Sequence, residues 1–111
     1  MKDHRLPYPR MAWEQGGHPL ERKKVDAATP ATLLEFAPGF ADPNWCRRGH
    51  TGYVLSGVFR MEFEPEGDVP RIEDYAAGEG FHIEVGVPHR ASNPGIVATE
   101  LFIVSTPAPA A

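Results

Sequence analysis

Residues 44–57 read NWCRRGHTGYVLSG, and the only cysteine of the 111-residue chain, Cys46, stands there four positions before His50. Two readings compete. In one, Arg47, Arg48 and Gly49 form a three-residue hairpin loop with Gly49 left-handed. Cys46 and His50 then oppose each other on neighbouring strands, with Cβ atoms about 4.5–5.5 Å apart. Both could reach one metal ion, whose bonds to thiolate sulfur and imidazole nitrogen are about 2.3 and 2.0 Å. In the other reading Cys46 is a small buried hydrophobe and His50 a hydrogen-bonded structural residue. Asn44 lies two residues before Cys46 and so shares its face in an extended chain. Its amide suits water or substrate better than a transition metal.

Outward from this stretch the chain reads as short strands. In VFRMEFE, Phe59, Met61 and Phe63 alternate with Arg60, Glu62 and Glu64, the period of two that marks a strand with one buried face. PEGD, residues 65–68, is built for a tight turn, so VPRIEDY should return antiparallel. TLLEFA (32–37), FHIEV (81–85) and IVATELFIVS (96–105) read as further strands, the last apolar enough to be covered on both faces. The first thirty residues show no helical period and read as an arm with one strand near 24–27, anchored by Trp13. Twelve prolines and eleven glycines fall between the apolar stretches rather than in one tract. Seven to nine short strands with no convincing helix suggest an all-β sandwich or small barrel, and pattern alone does not choose between them.

Composition removes several function classes. A chain of 111 residues makes one domain that buries roughly two thirds of its unfolded surface. A formal charge of −4 in mixed acids and bases lacks the basic footprint of a nucleic-acid binder, so no nucleic-acid partner is expected. One cysteine cannot make an internal disulfide, the start MKDHRLPYPR lacks an apolar leader, and no apolar run could span a bilayer. A cytoplasmic protein with no membrane partner is the expectation.

Residues 44–57, taken with GEGFHIEVGVPHRASN (78–93), resemble the two motifs of the cupin superfamily. Counting back from Gly57 across six intervening residues reaches His50, where such proteins usually carry glutamate; Cys46 and Asn44 take the places of two histidines. In the second motif Gly78, Gly86, His89 and Asn93 fall at the family positions, with Glu84 in place of a proline. The resemblance covers about residues 32–104. It implies an all-β, single-domain cupin-type β-barrel (a double-stranded β-helix, or jelly roll), with an extended N-terminal arm over 1–30, the barrel over 31–105 and a disordered tail over 106–111.

Of the four usual ligand positions only His89 keeps its family identity, but Cys46 and His50 can also bind metal. The implied first shell is Cys46, His50 and His89 with an open position. One thiolate and two imidazoles suit zinc first among divalent transition metals, with iron, nickel or copper also accommodated. Because a bound metal holds the thiol as thiolate, binding should weaken in acid. The resemblance implies a metalloenzyme of the dioxygenase or isomerase kind acting on a small polar molecule; the alternative is a non-catalytic module that binds a small ligand or metal for sensing or storage. It also implies a homodimer, which finding only monomer at micromolar concentration would overturn. Elsewhere, His82 reads as a surface residue, His4 and His18 as solvated, Trp45 as packed on the outer layer away from Cys46, and Arg47 and Arg48 as exposed arginines.

Overall fold

The computed structural model of the protein describes residues 3–107. After a short 3-10 turn, Tyr8–Arg10, nine strands follow: β1 (Glu14–Gln15), β2 (Glu21–Val25), β3 (Ala31–Phe36), β4 (Gly49–Ser56), β5 (Val58–Glu66), β6 (Val69–Ala76), β7 (Gly80–Ile83), β8 (His89–Ser92) and β9 (Thr99–Thr106). All pairings are antiparallel. They form a six-stranded sheet, in the order β1-β2-β3-β9-β4-β7, and a three-stranded sheet, β6-β5-β8. From β4 onward the chain passes back and forth between the two, which is the jelly-roll path. Among the described residues no helix is long and apolar enough to cross a membrane.

The crossing from β4 to β5 is made at Gly57. Its φ of +77° is open to glycine and costly for other residues, and a Cβ there would sit 2.7 Å from the Ala98 carbonyl oxygen. The bend carries the chain from β4 in one sheet to β5 in the other. The alternation in β5 is as expected: Phe59, Met61 and Phe63 are buried and Arg60 pairs with Asp74 on the outside. They meet Phe36, Val54, Phe81, Ile83, Leu101 and Ile103 from the larger sheet in one apolar core. The β5–β6 hairpin closes on Gly67 and Asp68, with Gly67 at φ +65°.

Asn93 is 4% exposed. Its side-chain amide donates to the Phe36 and Val97 carbonyls and its oxygen accepts the Gly95 N–H, tying the β8–β9 loop to the end of β3. Thr99 Oγ1 donates to the Val58 carbonyl across the sheets at 2.6 Å. The buried polar side chains of Asn93 and Thr99 are thus satisfied by the chain itself.

The N-terminal region departs from the expectation. Its strands are 14–15 and 21–25, not 24–27, and both belong to the larger sheet. What precedes them does lie over that sheet's outer face. Tyr8 packs edge-on against Phe102, Lys24 Nζ donates to the Tyr8 carbonyl at 2.8 Å, and Trp13 lies beneath Arg22 and Lys24. His18 is not solvated as expected: its ring meets Phe40 edge-on and its Nδ1 accepts the Leu20 N–H. At the other end, Ile96 and Val97 belong to a loop before β9 and are 95% and 60% exposed. Of the stretch expected to be a tail, Thr106 ends β9, while 108–111 lie outside the described residues.

Candidate metal centre

Cys46, His50 and His89 come together, but not through a hairpin. Cys46 pairs with His89, not with His50: the Cys46 N–H donates to the His89 carbonyl at 2.7 Å and the His89 N–H to the Cys46 carbonyl at 3.0 Å. Two antiparallel residues that exchange both bonds project from the same face of their sheet. His50 belongs to the other sheet, on β4, and approaches from across the barrel. The expected loop is absent because Arg47 and Arg48 carry the chain from one sheet to the other. Gly49 has no positive φ and is the first residue of β4. A Cβ there would meet Val85 Cγ2 at 2.8 Å, so glycine serves close packing rather than a left-handed turn.

A second tie holds the crossing segment in place. The Gly86 N–H donates to the Arg47 carbonyl at 2.8 Å, which binds the turn before His89 to the stretch after Cys46. Gly86 adopts φ +94°, and Glu84, where cupins usually carry proline, is exposed in the same turn.

One donor atom from each of the three side chains lies within 4.8 Å of the others. Cys46 Sγ is 3.7 Å from His50 Nε2, and the two imidazoles meet edge-on with centroids 4.9 Å apart. Donor atoms on one tetrahedral zinc ion are separated by about 3.3–3.8 Å, so small side-chain rotations close the set. Both rings are also oriented from behind. His89 Nδ1–H donates to the Val87 carbonyl at 2.8 Å, which fixes its tautomer and leaves Nε2 with a bare lone pair. His50 Nδ1 is hydrogen-bonded to Ser105 Oγ at 2.9 Å. Metal-ligating histidines are characteristically held in this way. His89 is 2% exposed and its Nε2 has no hydrogen-bond partner, a buried polar atom that protein alone leaves unsatisfied.

Burial pushes the His50 pKa down to about 4, helped by repulsion from His89 and Arg48. The ring is therefore neutral at pH 7, the state a metal requires. The same shift makes a metal-free protein acid-sensitive. The unfolded chain takes up the proton near the ordinary value of 6.5 and the folded one only near 4, so stability is complete above 6.5 and falls as pH drops toward 4. Allowing for solvent screening, the loss is on the order of 1–2 kcal/mol. Thermal unfolding of chelator-treated protein at both ends of that window checks it; a midpoint that does not fall in acid contradicts it.

Asn44 does not share the site. It is exposed on a bend, its N–H donates to Asp42 Oδ1, and the cavity next to the triad is lined by Asp42 instead. His82 faces outward between Thr51 and Glu84. Trp45 is 39% exposed beneath the Arg90 guanidinium, which also binds Glu62. The cavity has a volume of about 400 Å³ and, besides the triad and Ser105, is lined by Glu21 and Lys23 from β2. Sequence reasoning missed these three. Ser105 was accessible by counting two residues on from Ile103, but β2 was placed too late for its inward face to be read.

No family profile matches the chain and no curated protein matches it in sequence. Solved structures do match. KdgF from Halomonas sp. is 24% identical with a TM-score of 0.64, over 86% of this chain and 88% of its own. The Drosophila melanogaster CENP-C cupin domain is 13% identical with a TM-score of 0.68, over 87% and 76%. An oxalate oxidase is 23% identical with a TM-score of 0.57 over 68% of this chain, which spans 40% of the oxidase. With two facing antiparallel sheets, the jelly-roll path and these neighbours, the protein has the cupin fold.

Proposed function

We propose that Cys46, His50 and His89 hold a divalent transition metal, zinc in the first place, and that the protein is a metal-dependent enzyme acting on a small molecule in the adjoining cavity. The observation that carries this is the Nε2 of His89, buried without a partner beside a thiol and the neutral imidazole of His50. A thiolate and two imidazoles form a zinc donor set, and three protein ligands rather than four are typical of a site that keeps one position open. The three residues line the cavity, so an open position would face it. Such an ion supplies Lewis acidity toward a substrate oxygen or a bound water.

The chain's own residues do the remaining work. The Val87 carbonyl and Ser105 hold the two rings in place, and the apolar core behind them limits the entry of water. Glu21 is the carboxyl best placed to handle a proton: it lines the cavity, and burial raises its pKa despite the hydrogen bond from the Gly17 N–H.

The fold does not choose between catalysis and binding, since its structural neighbours include both an oxidase and a CENP-C domain. A non-catalytic binder is the second reading. The open side of the triad favours the enzyme. Elemental analysis of protein purified without chelator, then offered zinc, is expected to find about one ion per chain. A content near zero after that treatment removes the metal from both readings.

A further inference from the structure

The cavity beside the triad has room for about a dozen water-sized groups. Its inner wall is apolar, with Phe36 stacked on Phe40 at 4.1 Å between centroids and Phe59 and Met61 beside them. Its polar wall comes partly from β2, whose alternation turns Glu21, Lys23 and Val25 inward. The outward cations of that strand are engaged: Arg22 pairs with Glu35 at 2.6 Å and Lys24 donates to Tyr8. Lys23 is different. Among the described residues its half-buried side chain makes no hydrogen bond and no ion pair, although lysine is seldom withdrawn from water without a partner.

Arg48, exposed at the cavity rim rather than half-buried, is a second unpaired cation of the lining. Its neighbour Arg47 donates to the Gly86 carbonyl, whereas Arg48 faces the cavity and has no partner among the described residues. The third cation of the lining, Arg90, is bound by Glu62 at 2.7 Å. The two acids of the lining each already accept an N–H, Glu21 from Gly17 at 3.1 Å and Asp42 from Asn44 at 2.9 Å. The formal charges nearly cancel, but the donors left without an acceptor are both cationic. A dication held by one thiolate would add a further positive charge.

We infer that the cavity receives a small organic acid. Its carboxylate accepts hydrogen bonds from Lys23 and Arg48, and its apolar body lies against the Phe36–Phe40 stack. The part of the ligand that faces Cys46, His50 and His89 rests on the metal reading given above; recognition of the carboxylate does not.

Phenylacetate and its uncharged isostere phenylacetamide are the probes, titrated calorimetrically into zinc-loaded and chelator-treated protein. Phenylacetate is expected to bind at least about tenfold more tightly, the scale of one charge-assisted contact. Lys23→Gln and Arg48→Gln should each remove about tenfold of that preference without weakening zinc affinity, read by competition with a chromophoric chelator, since neither change removes a donor. Lys23→Arg should keep the preference, which separates lost charge from lost packing. Equal affinity for the two probes, no binding of either, or an unaltered preference in both glutamine variants overturns the inference. If the wild type takes up no zinc when it is offered and the carboxylate preference is nonetheless found, the inference stands and the metal reading is refuted instead.

Discussion

Replacing Cys46 by serine is expected to lower the affinity for zinc at least a hundredfold, about 2.7 kcal/mol or more. A neutral hydroxyl replaces the only anionic donor of the three and the one that favours a soft metal. The loss should be specific to the site. Cys46 holds its place in the fold through its backbone bonds with His89, and serine keeps both. The variant should therefore unfold at the temperature of chelator-treated wild type, while the increase that zinc brings to the wild type disappears. Chelator competition together with thermal unfolding measures both. Zinc held as tightly by the serine variant as by the wild type would mean that the sulfur is no ligand.

Phe59→Ala is expected to cost about 3–5 kcal/mol, out of a total near 5–15 kcal/mol for a domain of this kind. Phe59 is 2% exposed, and its ring lies 5.8 Å from Phe36, 5.2 Å from Phe81 and 6.2 Å from Tyr75, centroid to centroid. Two of these neighbours belong to the six-stranded sheet and Tyr75 to its own three-stranded one. The ring thus joins the two halves of the barrel that carry the candidate metal donors. Urea unfolding should show a lower midpoint with an unchanged slope. A loss under about 1 kcal/mol would show that the barrel closes over the gap.

Several features were legible in the sequence because their causes are local. The alternation of Phe59, Met61 and Phe63 specifies a half-buried strand wherever the chain goes, and the tight turn of PEGD closes on Gly67 at φ +65°, whereas Gly49, expected left-handed, has no positive φ. The spacing of the two motifs linked Cys46 and His50 with His89, 39 residues beyond His50. How they meet was not legible. A hairpin and a crossing between sheets demand nearly the same residues at 46–50, and they differ only in whether Cys46 finds its partner four residues away or 43.

The short-range pattern of the chain therefore settled the all-β class, since strand period and turn residues act over a few positions, and the resemblance carried by the two motifs pointed to Cys46, His50 and His89 as candidate donors. Only the tertiary structure decided that Cys46 and His89 lie on one sheet and His50 on the other, that Ser105 braces His50, that Asn44 is left outside, and that Lys23 reaches the cavity from the N-terminal region. Those placements depend on the register of strands distant in sequence. The whole barrel fixes that register by burying one face of every strand, and no single segment encodes it.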